Sequence, residues 1–163
     1  MTPAELSARF RLYIDEPDQT FVSDANVESF MDEGYREFRN LVCDIDPQIY
    51  DVSQAITLTG ANDFDLATGT PSFLGESPTA TAGRLVRINA FNRVNGSGEV
   101  LERFQGVSSA RSTDVTGSSY ALVGTKLVFS RPLTGTYNLH YVPEASITWT
   151  GSGASAYVDD LVV

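Results

Sequence analysis

Ser23-Asp24-Ala25-Asn26-Val27-Glu28-Ser29-Phe30-Met31-Asp32-Glu33-Gly34-Tyr35-Arg36-Glu37-Phe38-Arg39-Asn40-Leu41-Val42 is the stretch on which the reading of this chain turns. Val27, Phe30, Met31, Tyr35, Phe38, Leu41 and Val42 recur at helical spacing and form one apolar stripe. Asp32, Glu33, Arg36, Glu37, Arg39 and Asn40 occupy the other face, so the segment reads as an amphipathic helix. Ser23 is placed to cap it, and Asp24 and Glu28 sit where negative charge meets the positive end of the helix dipole. Asp44-Ile45-Asp46-Pro47 ends it. Gly34 costs about 1 kcal/mol relative to alanine inside a helix. It reads as a place where another helix or chain comes close.

Before this helix lies a second one. Thr2 caps, Pro3 suits the first helical position, and Glu5 stands three residues after the cap. Leu6, Phe10, Tyr13 and Ile14 supply its apolar positions, and Asp15-Glu16-Pro17-Asp18 stops it. After the helices the texture turns to β. Val52, Ile56 and Leu58 alternate up to a turn at Thr59-Gly60-Ala61-Asn62, and Phe64 and Leu66 form a short further strand. Residues 67–83 are a loop rich in glycine, proline, serine and threonine, long enough to be either mobile or an interface element. Leu85 to Val94 is a strand with Leu85, Arg87, Asn89, Phe91 and Arg93 on one side and Val86, Ile88, Ala90 and Val94 on the other. Asn95-Gly96 signals a hairpin, with Val100 to Val107 as the returning strand or a short helical turn. Residues 108–119 form a second polar loop. Tyr120 to Val123 and Lys126 to Phe129 read as a hairpin, and Arg131 to Gly135 as a turn. Thr136 to Val142 is a strand facing Tyr137, Leu139 and Tyr141 one way, and Ser146 to Trp149 is an edge segment. Residues 151–156 are a linker, and Tyr157 to Val163 begin a further helix at Asp159-Asp160.

The expected fold class is therefore α+β: an N-terminal helical pair over 1–47, a large antiparallel β-rich insertion over 48–150, and a linker with the start of a C-terminal helix over 151–163 that packs back on the helical core. Hydrophobic residues make up 42% of the chain and charged ones 20%, which places it among globular proteins. No apolar run approaches the roughly 18 residues that cross a bilayer, and no secretory signal is visible at the N-terminus, so a cytosolic site of synthesis and no membrane are expected.

Net charge is −10, concentrated at the helical end. Binding DNA through its phosphates needs clustered lysine and arginine, so this balance excludes a phosphate-gripping protein. Cys43 stands alone and admits no internal disulfide. Beside Asp44, Asp46 and Asp51 it reads as an inert structural residue. His140 is the sole histidine, expected on the side of its strand opposite Tyr137, Leu139 and Tyr141, facing solvent or a neighbouring subunit. One histidine and one cysteine do not furnish a zinc site or a Cys/His nucleophile. Asp63 and Asp65 lack the further ligands of an EF-hand loop, and Glu99 with Glu102 reads as surface. Phosphate-loop and dinucleotide motifs are absent. The expectation is a non-enzyme with no catalytic, metal-binding or cofactor-binding residue and no cofactor; residues of a binding surface are not assigned.

Several short motifs carry a resemblance. Leu6, Arg9 and Leu12 precede the acidic proline turn Asp15-Glu16-Pro17-Asp18; Phe21-Val22-Ser23-Asp24-Ala25 opens the second helix; Tyr35-Arg36-Glu37-Phe38 lies at its centre. Tyr120 to Leu127, Pro132 to Tyr141 and Asp159 to Val163 complete the set. Together they resemble the head-to-tail adaptor (connector) proteins of tailed bacteriophages. The resemblance implies a structural virion protein at the neck between capsid and tail. It would form a homo-oligomeric ring, usually of twelve copies, under the portal protein, extending the DNA channel and offering a platform to tail proteins (tube, nozzle or fibre). Genomic DNA would pass through without specific binding, past carboxylates such as Asp24, Glu28, Asp32, Glu33 and Glu37. The family continues beyond this point with a long helix and a tail. Here five residues run from Asp159 to the end, because the sequence is an ordered part of a longer chain or because this member lacks that arm. The alternative is a β-sandwich module of a virion that binds carbohydrate or a host surface, using Trp149 or Tyr157.

Overall fold

The computed structural model describes residues 2–18, 21–94, 100–104 and 118–145. They divide into two compact units, a helical one ending at Asp46 and a β one of Pro47–Glu144. The fold is α+β and mostly sheet. The expected strand at 146–149, the linker and the C-terminal helical start lie outside the described residues.

In the helical unit, α1 is Pro3–Tyr13 and α2 is Asp24–Ile45. The capping box forms as the sequence implies. Thr2 Oγ1 accepts the Glu5 N–H at 3.3 Å, and the Glu5 carboxylate accepts the Thr2 N–H at 2.8 Å. Those bonds hold the Glu5 carboxyl below its ordinary value. The chain leaves α1 through Asp15, whose φ of 55° is left-handed, a conformation that aspartate tolerates better than most residues. Ser23 caps α2 by accepting the Asn26 N–H at 3.3 Å.

Of the apolar positions expected for α1, Leu6 and Phe10 are half-buried, whereas Tyr13 and Ile14 are exposed; the buried residues of the helix are Pro3 and Arg11. The competing force is polar, because Arg11 reaches the backbone beyond the helix and stays where its donors are satisfied.

The β unit is built along one long strand. β1 is Val52–Asp65, β2 Leu85–Arg93, β3 Glu102–Phe104, β4 Ser119–Val123 and β5 Lys126–Pro143. β1 pairs antiparallel with β5 along one edge, from Val52↔Tyr141 to Asp65↔Lys126. β4 and β2 share the other edge, β4 near the start of β5 and β2 near its end. The short β3 joins β4 in parallel.

Three expectations give way here. The turn at 59–62 and the turn at 131–135 are both strand. β1 and β5 run through them together, and the register slips between Leu58 and Ala61 and again between Ala61 and Asp63. Those irregularities accommodate Pro132, which has no N–H to give a ladder, and the positive-φ glycines Gly60 and Gly135. In β2 the simple alternation fails because bulges fall between Leu85 and Arg87 and between Ile88 and Ala90, so Ile88 and Phe91 both end buried. Among the described residues, the segment expected to return after Asn95-Gly96 meets β2 at the Asn92↔Val100 bridge, and its Glu102–Phe104 joins β4 in parallel.

The core of this unit gathers Ile56, Leu58, Phe64, Leu66, Leu139 and a set of aromatics. Phe91 sits at its centre, stacked on Tyr137 at 5.3 Å and Phe129 at 5.8 Å, with Tyr120 edge-on at 5.9 Å. The long loop 67–83 is part of this core. Phe73 is fully buried and meets Tyr141 edge-on at 5.4 Å, and its N–H donates to Leu66 O at 2.7 Å. A loop that feeds an aromatic into the core is ordered by burial.

Candidate functional site

The turn between the helices is a polar hub. The Arg11 guanidinium donates from Nη1 and Nη2 to Val22 O, at 3.1 Å each, and from Nη2 to the Asp24 carboxylate. The Glu16 carboxylate accepts the N–H groups of Phe21 at 2.8 Å and Val22 at 3.2 Å, and stands 3.8 Å from Arg11. Arg11 is 7% exposed, so these partners replace the water that its charge would otherwise need. The acidic turn and the opening of α2, noticed separately in the sequence, are thus one structure. Arg11 was not singled out there. Its signal was a cation one turn ahead of Asp15-Glu16-Pro17-Asp18.

Outside that hub the helical unit leaves large apolar side chains in the open. Tyr13 is 90% exposed, Phe21 88%, Ile45 86%, Leu12 71%, Leu41 60% and Phe30 57%. Phe30 and Leu41 were expected on the apolar stripe of α2 and do lie there, but only its Val27 and Met31 side is buried. No side chain reaches Gly34: a Cβ built there meets nothing within 4 Å. The close approach expected at Gly34 is not made by the described residues of this chain. Exposed apolar groups in this number mark a surface that proteins use for contact.

The five carboxylates named for a channel lining are not equivalent. Asp24 belongs to the Arg11 hub, and Asp32 pairs with Arg36 at 3.0 Å one turn on. Glu33 and Glu37 are exposed.

The β unit holds a polar cluster around its single histidine. His140 lies opposite the buried Tyr137, Leu139 and Tyr141, as its strand position required. Its Nδ1 is 3.0 Å from Asp51 Oδ2. Asp51 Oδ1 accepts the Asn89 amide at 2.8 Å, and that amide also donates to Pro47 O at 3.1 Å. These side chains line a cleft of about 650 Å³ together with Arg87 and Asn92. With Nδ1 engaged, only Nε2 of the imidazole is left to meet a ligand. No serine, threonine or cysteine stands among the described residues of its wall, and no group of three metal-ligating side chains occurs among the described residues. The cluster is a hydrogen-bonding recess that ties the 47–51 segment to β2 and β5. Asp51, read in the sequence as a neighbour of Cys43, is the partner of His140.

Asp63 and Asp65 end β1. Asp63 pairs with Lys126 at 3.8 Å, and Asp65 Oδ1 accepts the N–H groups of Ala67 at 2.8 Å and Thr68 at 3.4 Å. The Ala67 bond leads the influences that lower the Asp65 carboxyl. Asp65 serves the turn that leaves β1, whereas Asp63 lies within the strand. Cys43 is buried. Glu99, Trp149 and Tyr157 lie outside the described residues. No helix among the described residues is long and apolar enough to cross a membrane. No family model matches the sequence, and no curated protein matches it either.

Proposed function

We infer that the chain is a structural virion protein, a head-to-tail adaptor whose copies form a ring joining the portal vertex to the tail. The observation that carries this reading is the exposed apolar surface of the helical unit. A ring of identical copies needs two different contact faces on each copy. Leu12, Tyr13 and Phe21, in and just after α1, and Phe30, Leu41 and Ile45, along α2, are apolar groups that the helical unit can bury against neighbouring copies or against portal and tail proteins. The motif residues support the same reading, since Glu16, Phe21, Val22 and Asp24 are the hub that fixes the helical turn. The strands described all belong to one sheet, whereas the alternative carbohydrate-binding sandwich calls for two. In this reading the portal protein and tail proteins are the partners, and DNA passes an acidic, non-gripping wall.

The test is mass photometry with negative-stain imaging of the purified chain, alone and mixed with the portal protein of the same virus. A ring with a central hole, free or formed on the portal, is the expected result. A small particle indifferent to the portal overturns the reading and sends the search to glycans and host surfaces.

A further inference from the structure

α2 carries two apolar edges, and only one is covered. Phe30, Gly34, Leu41 and Ile45 follow the spacing i, i+4, i+11 and i+15 and so lie along one line of the helix. The line runs about 22 Å at 1.5 Å per residue. Phe30, Leu41 and Ile45 are exposed, and the space over Gly34 is open, so the line is a seam with a notch one turn after Phe30. Exposed acids border it on one side in the same rhythm: Glu33 three residues after Phe30, Glu37 three after Gly34, and Asp44 three after Leu41. Three residues on is the adjacent position on the helix surface.

We propose that this seam is a docking site for an amphipathic helix of a different protein, one with an apolar stripe flanked by lysine and arginine. Charge decides the occupant. α2 carries six carboxylates against two guanidiniums, so two copies of the seam face to face set acid against acid. The chain's own Tyr157–Val163 segment holds Asp159 and Asp160 and no cation, and fails the same match. A basic flank on the incoming helix meets Glu33 and Glu37, its apolar stripe covers Phe30, Leu41 and Ile45, and a bulky side chain drops into the space over Gly34. This is recognition of a helix by an apolar groove with a charged rim. It stands whether or not the chain forms a ring.

The test uses the full chain and two fluorescent synthetic helices with the same leucine stripe, one flanked by lysine and arginine and one by glutamate, read by fluorescence anisotropy. The basic helix binds, and the acidic one binds at least about tenfold more weakly. Gly34→Leu fills the notch from a position whose Cβ has open space around it, and circular dichroism checks that α2 is intact. It weakens the basic helix by about tenfold or more, the scale of one lost apolar anchor. The double variant E33K/E37K reverses the preference between the helices. Three results overturn the proposal: no binding, binding indifferent to Gly34→Leu, or equal binding of both helices. Self-association of the chain that Gly34→Leu abolishes also overturns it, because a second copy is then the occupant.

Discussion

The two units of this chain solve the same problem in opposite ways. In the β unit the largest fully buried side chains are aromatic: Phe73, Phe91, Tyr120, Phe129 and Tyr141. In the helical unit α1 buries a proline and an arginine and leaves its leucine and tyrosine at positions 12 and 13 outside. One unit is held by apolar area removed from water, the other at its turn by charge-assisted hydrogen bonds. The exposed apolar groups of the helical unit are what the proposed contacts would bury, whereas the β unit keeps its largest apolar side chains inside and leaves mainly valines in the open.

The sharpest way to break this contrast is at the centre of the aromatic core. Phe91→Ala removes the ring that touches Phe129, Tyr120 and Tyr137, and leaves a cavity. The expected loss is about 3–5 kcal/mol. Urea unfolding followed by near-ultraviolet dichroism should show the aromatic signal lost at much lower denaturant. A shift below about 1 kcal/mol would mean that the core closes over the gap and is less tightly built than its stacking geometry indicates.

The corresponding change in the helical unit is Arg11→Ala. It strips Val22 O and Asp24 of their donor and takes the positive charge away from Glu16. Hydrogen bonds to charged groups carry about 1.5–3 kcal/mol each in favourable cases, but the exposed side of Asp24 regains water, so about 2–3 kcal/mol is expected in all. The loss should appear in the helical signal at 222 nm and leave the near-ultraviolet signal of the aromatic core in place. Arg11→Lys keeps the charge without the planar fork and should recover only part of it. Equal loss of both signals would show that the units do not hold themselves by separate means.

Much of this was legible along the chain because local rules wrote it. The capping box at Thr2 and Glu5, the Ser23 cap, the α2 stripe, and Tyr137, Leu139 and Tyr141 on one face of β5 all follow from spacing within a few residues. What was illegible depended on pairing at a distance. The strand character of Thr59–Asn62 and of Arg131–Gly135 exists because the two segments meet, and each alone has the composition of a turn. The bulges in β2 hid Ile88 and Phe91 behind a false alternation. Arg11 and Asp51 were missed for the same reason. The partners that decide their placement lie eleven or more residues away, at Val22, Asp24 and His140; the acidic turn beside Arg11 puts a carboxylate near it without telling that the backbone at Val22 will bury the guanidinium. The seam on α2 was half visible: its apolar residues could be read, but not which of them the rest of the chain would leave uncovered.

The smallest effect sharpens the comparison from the β side, at a place where that unit too relies on charge. Asp65 ends β1 by accepting the N–H groups of Ala67 and Thr68, and its carboxyl is held below the ordinary 3.8, chiefly by the Ala67 bond. A carboxyl lowered by folding contributes stability that is complete above its unfolded value and is lost as pH falls through its folded one. Asp65→Asn abolishes that contribution at every pH, because an amide oxygen accepts the same bonds without the charge. The variant should therefore have a lower urea midpoint than the parent at pH 7, and the gap should close once the solution is acid enough to protonate the carboxylate in the folded protein as well. The group is exposed, so the gap is expected to be modest beside those at Phe91 and Arg11. A gap of the same size at both pH values would assign the effect to the geometry of the turn rather than to the carboxylate's charge.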